Sequence, residues 1–326
     1  MKKTLWILLD DRRGSVGQAK GIAMALEGRI NIVEKQLAYT RWGWIPNWIK
    51  GRSLFGTDTI KSDNLDGPYP DIILSTSRRT VATARYLRKK SGNQTKIVQL
   101  MYPSGGVGIK DMELVIVPAH DNPQKQKNAK AFVITGAPTR VFADKLDAVR
   151  RQWEPVFKDL PRPWTAVIIG GAIKGKPWPL DNAEDLAASL RKIHDQTGGS
   201  FLLTTSWRTG EEAEKIVLRE LSDIPMYTYI WGEKKESPIM GFFACADLIT
   251  ATADSVSMCS ESCGTGKTVL LFKGQNWLPE KHARFADSLI EQGYAQDIKA
   301  PGALNFRPKA ALNSASRIAN KILEIS

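Results

Sequence analysis

The sequence predicts an α/β protein of two doubly wound domains that face a cleft, each with a parallel sheet between layers of helices. Short apolar runs alternate along the chain with longer helical stretches, and these runs lack the polar alternation of strands that face water. Prolines at positions 155, 161 and 163 interrupt this pattern, which then restarts. The length of 326 residues agrees with two domains of roughly 150 residues each.

The first domain is predicted over residues 1–158. Its strands are expected at residues 4–9, 30–34, 71–75, 96–100, 114–117 and 131–134, and its helices at 17–26, 80–91 and 139–153. The helix at 80–91 has an apolar stripe and ends in three cations, which the carbonyl end of a helix favours. The prolines that follow predict a linker, because proline lacks the amide hydrogen that a helix needs.

The second domain is predicted over residues 159–308. Its strands are expected at residues 165–169, 200–204, 226–230, 247–251 and 268–272, and its helices at 183–197, 210–221, 240–246 and 255–263. Residues 309–325 carry apolar side chains at helical spacing, which predicts a final helix. Residues 309–326 are therefore predicted as a separate C-terminal helix, for which packing against the first domain is one option.

The charge balance predicts an anionic partner. The 46 Lys and Arg exceed the 34 Asp and Glu by 12, which attracts nucleotide diphosphates, anionic lipid or nucleic acid. No nucleic-acid-binding motif is present, so nucleic acid is not expected as a partner. Three cysteines and three histidines are too few and too scattered for most metal sites, so no metal is expected. The odd cysteine count suits a reducing cytoplasm. The sequence contains no apolar run of about 18 residues, so a membrane span is not expected.

Candidate chemistry lies in the loops that follow strands, because parallel sheets bind ligands beyond the carboxyl ends of their strands. Glycines after the first strand permit close approach of a ligand, although a tight turn alone also accounts for them. A neighbouring His and Asp form either a general base or a turn that the Asp caps. The first-domain candidates are Asp11, His120 and Asp121 as proton acceptors, and Gly14, Gly17, Gln18 and Arg78 as ligand contacts.

In the second domain, a polar turn at 252–255 precedes a helix whose free amides suit a diphosphate. An ordinary capped helix is the alternative. Cations in two further loops are suited to neutralising a leaving diphosphate. The donor-binding candidates of this domain are Gly171, Lys174, Ser206, Arg208, Asp254, Ser255, Ser257, Ser260, Glu261 and Lys267. The segment at 263–268 fits a P-loop poorly, because position 261 is not glycine and a helix precedes the motif where a strand is required.

One segment, at residues 39–52, interleaves Trp42, Trp44 and Trp48 with cations. This composition is typical of a membrane interface or of a site for a lipid-carrying acceptor. The more economical interpretation is that the tryptophans pack beneath the loop as a small satellite core.

Taken together, several motifs resemble one family. They are Gly14 with Gly17-Gln18, Ser-Arg-Arg at 77–79, Pro-Ala-His-Asp at 118–121, Thr-Gly-Ala at 135–137, Gly-Gly at 170–171, Thr-Ser-Trp-Arg-Thr at 205–209 and the block at 254–267. The resemblance is to the bacterial and plant family named for a mitochondrial fission factor, whose bacterial members are catalogued as glycosyltransferases. It runs over nearly the whole chain, and the block at 254–267 is its most specific part.

The resemblance implies a GT-B-like architecture of two Rossmann-like domains, with a nucleotide-sugar donor held mainly by the second. It places Ser257 and Ser260 near the donor diphosphate and Glu261 near the ribose. The implied function is a metal-independent glycosyltransferase in the cytoplasm, on the inner face of the membrane, with a cell-envelope glycan or lipid-linked glycan as acceptor and peripheral contact with anionic lipid. Two alternatives stay open: a non-catalytic scaffold for a membrane-associated partner, and a nucleotide-sugar epimerase.

Overall fold

The computed structural model describes residues 2–121 and 123–326, which divide into two compact units. The first unit runs up to Arg140 and also takes in Asn313–Ser326, whereas the second is Val141–Leu312. Each unit is built on one six-stranded sheet whose strand pairs are all parallel. The predicted α/β class, with two doubly wound halves, is confirmed.

The helices and strands follow the predicted alternation closely in both units. In chain order they begin with β1 (Thr4–Leu9), α1 (Arg13–Leu26), β2 (Asn31–Gln36), β3 (Ala38–Tyr39), α2 (Asn47–Lys50), β4 (Thr57–Asp58), β5 (Ile72–Ser75), α3 (Thr80–Lys90), β6 (Lys96–Leu100), β7 (Leu114–Pro118), α4 (Pro123–Gln126) and β8 (Ala131–Ile134). They continue with α5 (Leu146–Phe157), β9 (Trp164–Ile168), α6 (Leu180–Thr197), β10 (Ser200–Thr204), α7 (Glu211–Glu220), β11 (Met226–Tyr229), α8 (Ile239–Cys245), β12 (Leu248–Thr252), α9 (Val256–Gly264), β13 (Thr268–Phe272), α10 (Glu280–Glu291), β14 (Gln296–Asp297) and α11 (Ser314–Ile325).

In the first unit the strand order is β2-β1-β5-β6-β7-β8, and β3 and β4 form a separate antiparallel pair. Alternate residues of β1 enter two different apolar clusters. Leu5, Ile7 and Leu9 pack with residues of α1 and α11, whereas Trp6 and Leu8 pack with residues of α3. The sheet is therefore covered on both faces, which explains why its inner strands are unbroken apolar runs, whereas the edge strand β2 is partly polar and exposed.

The second unit repeats this arrangement with the order β11-β10-β9-β12-β13-β14. Ala166 and Ile168 of β9 face a cluster that includes side chains of α5, α8, α9 and α10. Val167 of β9 faces a cluster that includes side chains of α6 and α7. Helices thus cover the faces of both sheets, and strand ends and connecting loops lie at their edges.

The first unit ends at Arg140, earlier than the boundary at residue 158 drawn from the sequence. Helix α5 accounts for this difference, because it packs on α8 of the second unit. Its Phe157 lies in an aromatic cluster, with ring centroids 5.1 Å from Tyr227 and 5.7 Å from Phe242. Pro155 lies inside this helix and does not end it. Burial of the aromatic face offsets the cost of about 3 kcal/mol that an interior proline imposes on a helix.

Helix α11 packs against α1 and completes the first unit from the far end of the chain. It begins at Ser314, whose hydroxyl donates to the carbonyl oxygen of Thr135 over 2.5 Å. Ile318 and Ile322 of this helix are fully buried. Residues 309–312, in contrast, belong to the second unit.

Candidate functional site

The order in which strands are added to the second sheet reverses between β9 and β12. From β9 the chain builds outwards through β10 and β11, and it then returns to the other side of β9 to add β12, β13 and β14. In open α/β sheets, ligands bind beyond the carboxyl ends of the strands at such a switch point. The candidate site is therefore formed by the loops after β9, β10 and β12.

The loop after β9 contains two glycines that lie directly against the other two loops. A Cβ atom on Gly170 would lie 2.1 Å from both carboxylate oxygens of Asp254. A Cβ atom on Gly171, where φ is +150°, would lie 2.1 Å from the carbonyl oxygen of Arg208. Only glycine permits this contact between the three loops, so the Gly-Gly pair has a steric cause that is visible in the structure.

Asp254 joins the three loops. Its side chain is fully buried, and its two oxygens accept hydrogen bonds from the amide of Gly171 over 3.1 Å and the hydroxyl of Thr252 over 2.7 Å. Nη1 of Arg208 lies 2.6 Å from Oδ2 of Asp254. Burial raises the pKa of Asp254, and the charge of Arg208 opposes that rise. Asp254, predicted to bind the donor, is thus used within the protein to position the loops.

The loop after β10 is held by its own hydroxyls. Oγ of Ser206 and Oγ1 of Thr209 donate to the carbonyl oxygen of Gly170 over 3.1 Å and 2.5 Å. The guanidinium of Arg208 donates to the carbonyl oxygen of Ala172 over 3.1 Å. With 19% of its side chain exposed, Arg208 keeps a cationic surface at the strand ends.

Helix α9 begins at this edge of the sheet, directly after β12. Ser255 is its N-cap, with a hydroxyl that accepts a hydrogen bond from the amide of Met258 over 3.4 Å. The first amides of an α-helix have no partner within the helix and carry its positive dipole end. Ser257 and Glu261 are four residues apart, so they share one face of α9, and both are half-buried. The start of α9 is therefore suited to an anion, with a hydroxyl and a carboxylate alongside.

Ser260 differs from the other predicted residues of this helix. It is fully buried, and its hydroxyl donates to the carbonyl oxygen of Val256 one turn earlier over 2.6 Å. The structure brings together Gly171, Ser206, Arg208, Asp254 and Ser255, with Ser257 and Glu261 on the adjoining helix. The buried Ser260 packs within the unit and does not lie on the surface of the site.

The two predicted lysines lie at different edges of the sheet, Lys174 on the loop after β9 and Lys267 before β13. Lys174 is exposed on a tight turn closed by paired hydrogen bonds between Ile173 and Lys176. Lys267 precedes β13 and thus lies at the amino ends of the strands, opposite to the site. Its Nζ donates to the carbonyl oxygens of Ala244 over 2.7 Å and Ala246 over 2.6 Å. Lys267 is not a donor-binding residue, because its ammonium is committed to the end of α8.

The position of Lys267 predicts a pH-dependent stability. Burial lowers its pKa from 10.5 to about 8. Between pH 8 and 10.5 the unfolded chain therefore holds a proton that the folded chain has lost, and the free energy of unfolding rises with pH across this window. Lys267→Met is expected to remove this rise, as measured by urea unfolding at pH 7.5, 9 and 10. An unchanged pH dependence in the variant would contradict the burial of this ammonium.

His282 of α10 lies within electrostatic range of the Arg208–Asp254 pair and was not a candidate from the sequence. It is half-buried, and its Nδ1 has no hydrogen-bond partner among residues 2–121 and 123–326. Burial lowers its pKa, the Asp254 carboxylate opposes this, and the nearby charges of Lys281 and Arg208 add to it. The charges of Asp254 and Arg208 are thus near enough to act on this imidazole, and the lowered pKa favours its neutral form. Helix α10 was not predicted, so no sequence signal placed His282 there.

The first sheet has its own switch point between β1 and β5. Asp10 after β1 is buried, and its Oδ2 lies 3.6 Å from Nη2 of Arg79 after β5. Arg79 also pairs with the predicted base Asp11, whose side chain is 71% exposed. Cζ of Arg79 lies 4.7 Å from the centroid of the Tyr39 ring. Burial raises the pKa of Tyr39, and the negative charge of Asp10 raises it further. The carboxyl edge of the first sheet therefore carries a compact cluster of charges.

The first glycines of the chain lie in a helix and not in a loop. Helix α1 begins at Arg13, four residues before the start predicted from the sequence. A Cβ atom on Gly14 or Gly17 would have no neighbour within 4 Å among the described residues. Gln18 is half-buried on the same helix. Protein packing therefore does not require these two glycines, in contrast to Gly21, where a Cβ atom would lie 2.3 Å from the carbonyl oxygen of Thr139.

The other first-unit candidates do not join Asp11. His120 is buried after β7, and Asp121 pairs with Lys125 over 2.9 Å. Strands β5 and β6 separate β7 from β1, which places these loops about 14 Å apart along the edge of the sheet. Arg78 donates to the carbonyl oxygen of Trp44 over 3.1 Å. The three proposed proton acceptors thus do not form one catalytic group.

Residues 2–121 and 123–326 contain neither a clustered metal site nor a membrane-spanning helix. No group of three or more His, Cys, Asp or Glu side chains is arranged to hold a metal ion. No helix in this part of the chain is long and apolar enough to cross a membrane.

Comparison with solved structures defines the class of fold. A Listeria monocytogenes protein assigned as a UDP-N-acetylglucosamine 2-epimerase aligns over 99% of this chain and 95% of its own, with 14% identity and a TM-score of 0.62. The UDP-GlcNAc 2-epimerase from Neisseria meningitidis, bound to UDP-GlcNAc, aligns over 99% of this chain and 100% of its own, with 14% identity and a TM-score of 0.56. A glycosyltransferase from Rickettsia africae aligns over 99% of this chain and 97% of its own, with 14% identity and a TM-score of 0.53. These likenesses confirm the GT-B-like class of two α/β units.

The chain belongs to the family described as mitochondrial fission ELM1, which it matches over residues 13–325. An uncharacterized protein of Rickettsia prowazekii is 29% identical over 98% of this chain and 97% of its own. The mitochondrial fission protein ELM1 of Arabidopsis thaliana is 30% identical over 72% of this chain and 58% of its own length. The resemblance read from the sequence motifs is thereby confirmed.

Proposed function

We propose that this chain is a glycosyltransferase that binds a nucleotide-sugar donor on its second unit. The observation that carries the proposal is the start of α9, which lies at the switch point of a sheet with the strand order of dinucleotide-binding folds. The glycines of the neighbouring loop let it pack directly against Asp254, immediately before this helix, at the same edge. The fold likeness to nucleotide-sugar enzymes supports this choice of ligand.

In the proposed complex, the donor diphosphate lies at the first amides of α9, beside the hydroxyls of Ser255 and Ser257. Glu261, one turn beyond Ser257 on the same face, accepts hydrogen bonds from the ribose hydroxyls. Arg208 faces the negative charge that develops on the diphosphate as the bond to the sugar breaks. In this proposal, the cation and the helix amides stabilise the leaving group without a metal.

The acceptor is proposed to be a hydroxyl of a glycan or lipid-linked glycan of the cell envelope, reached from the cytoplasm at the inner face of the membrane. Transfer requires a group that takes the proton of this hydroxyl. Asp11 is proposed for this role, because it is the exposed carboxylate at the switch point of the first sheet. His120 and Asp121 are less suited, since His120 is buried and only 14% of the Asp121 side chain is exposed, against 71% for Asp11.

Titration calorimetry with nucleoside diphosphates and nucleotide sugars tests the donor site. One class of nucleotide is expected to bind at submillimolar concentration, and Glu261→Ala is expected to weaken its binding by roughly tenfold, since it removes a charged hydrogen-bond acceptor. Glu212→Ala, at an exposed glutamate of α7, is the matched control and is expected to bind normally. Absence of binding to every nucleotide at millimolar concentration would remove the basis of the proposal.

The name of the family favours a second candidate, a scaffold without turnover that recruits a membrane-associated partner. Cells that carry the Glu261→Ala variant distinguish the two candidates. A scaffold retains its cellular phenotype with this substitution, whereas a transferase loses it together with donor affinity. A nucleotide-sugar epimerase, which the solved neighbours favour, would convert the donor in the absence of any acceptor.

A further inference from the structure

Residues 38–61 of the first unit form an excursion with an apolar outer surface. The segment leaves and rejoins the unit through the β3–β4 pair, in which Ala38 faces Asp58 and Tyr39 faces Thr57. Of the eleven exposed large hydrophobic side chains among the described residues, six lie within residues 42–60. We call these six the tryptophan surface: Trp42 (43% exposed), Trp44 (65%), Trp48 (71%), Ile49 (53%), Phe55 (49%) and Ile60 (94%).

The short helix α2 shows that this exposure is built into the chain. Its polar residues Asn47 and Lys50 are buried, whereas Trp48 and Ile49 face outwards. Nζ of Lys50 donates to the carbonyl oxygen of Gly43 over 2.7 Å, and Nδ2 of Asn47 donates to the carbonyl oxygen of Arg78 over 2.9 Å. A helix on a water-facing surface has the opposite arrangement. The inverted polarity therefore indicates an apolar environment outside.

Hydrogen bonds from the body of the unit hold this excursion in place. Arg78 donates to the carbonyl oxygen of Trp44 over 3.1 Å, and Arg85 donates to that of Gly51 over 2.9 Å. The hydroxyls of Thr57 and Thr83 lie 3.2 Å apart. The satellite core favoured from the sequence is therefore wrong for these tryptophans. They are displayed on an anchored segment and are not buried beneath it.

The charges of the excursion complement an anionic surface. Residues 38–61 contain one acid, Asp58, and three exposed cations, Arg41, Arg52 and Lys61. The fourth cation, Lys50, is buried, and Arg52 also pairs with Asp111, so Arg41 and Lys61 are the exposed cations of this segment that have no acidic partner in the described residues. Tryptophan favours the interface between lipid headgroups and acyl chains, and nearby cations attract anionic headgroups. We propose that the tryptophan surface docks this protein on an anionic lipid bilayer. A second copy fits less well, because two-fold pairing would place like charges against each other.

Co-sedimentation with lipid vesicles tests this proposal. The full chain is expected to bind vesicles of phosphatidylcholine and phosphatidylglycerol in equal parts more tightly than phosphatidylcholine alone. The double variant Trp44→Gln/Trp48→Gln is expected to lose roughly tenfold or more in vesicle affinity, since it removes two interfacial anchors. Trp231→Gln, at a tryptophan of the second unit that is 53% exposed, is the matched control and is expected to bind like the unchanged protein.

A second variant, Arg41→Gln/Lys61→Gln, is expected to bind the mixed vesicles roughly tenfold more weakly while keeping both tryptophans. Equal binding to both kinds of vesicle, or undiminished binding by either double variant, would overturn the proposal. So would a dimer in solution that the tryptophan variant abolishes, because the surface would then belong to a second copy. The assay contains no nucleotide sugar, so its failure leaves the proposed donor site untouched, and a failed nucleotide titration leaves this surface untouched.

Discussion

Asp254→Ala is expected to lower the free energy of unfolding of the second unit by about 4 kcal/mol, the range for breaking a buried, hydrogen-bonded charge pair. The substitution leaves the Arg208 guanidinium without its partner at 2.6 Å. It also removes the acceptor for the amide of Gly171 and the hydroxyl of Thr252. Urea unfolding measures the loss, and nucleotide binding is expected to be lost with it, since the three loops are no longer held together.

The matched control is Asp223→Ala, which removes an exposed carboxylate that pairs with Arg191 over 2.7 Å on the same unit. Exposed pairs contribute about 1 kcal/mol or less, so this variant is expected to remain close to the unchanged protein. If both aspartate variants shifted the unfolding transition by the same small amount, Asp254 would not be the residue that joins the loops.

Gly170→Ala is expected to destabilise the second unit by about 3 kcal/mol, at the upper end of typical overpacking costs. The added Cβ atom would lie 2.1 Å from both carboxylate oxygens of Asp254, which cannot move without breaking their hydrogen bonds. The backbone turn must shift instead, and the loop after β9 moves with it. Thermal unfolding and nucleotide titration of the same preparation measure both consequences.

Gly17→Ala is the control, because this substitution is not expected to lower stability. A Cβ atom there has no neighbour within 4 Å among the described residues, and alanine favours a helix over glycine by about 1 kcal/mol. This variant is expected to be as stable as the unchanged protein or slightly more so. A Gly170→Ala variant that unfolded at the same temperature as Gly17→Ala would contradict the close contact between the loops after β9 and β12.

The strands were the most predictable part of the fold. Predicted strands at 4–9, 96–100, 131–134, 200–204 and 268–272 have the bounds that the structure shows. Apart from the half-buried edge strand at 131–134, each is a short apolar run buried within a parallel sheet, and hydrophobicity in the sequence reflects that burial. The Ser255 cap and the helix after it were predictable for a similar reason, since capping depends on local residues.

The domain boundary was harder to predict because it depends on tertiary contacts. Pro155 indicated the end of a helix, yet packing of Phe157 in the second unit outweighs the local preference of proline. Helix α10 was missed, and with it His282, whose closeness to Arg208 and Asp254 arises from the folding of distant segments. A single sequence contains no local signal for such a contact.

The candidate site was predicted in part. Strand ends identified Gly171, Ser206, Arg208 and Ser255 correctly as neighbours, because the topology of a parallel sheet brings successive carboxyl ends to one edge. The motif alone could not distinguish Lys267, which lies at the opposite edge. Nor could it show that Asp254 is buried. Both facts depend on which end of a strand a residue occupies and on what packs over it.

Hydrogen–deuterium exchange in the presence of a nucleoside diphosphate tests the central claim most directly, since it reports on the amides proposed to hold the phosphates. With the bound nucleotide identified by calorimetry, exchange is expected to slow at residues 255–258 and at 170–172 of the second unit. A nucleoside without phosphates is expected to leave both segments unchanged. Protection confined to other segments, or no change at the start of α9, would contradict a diphosphate site at this edge of the sheet.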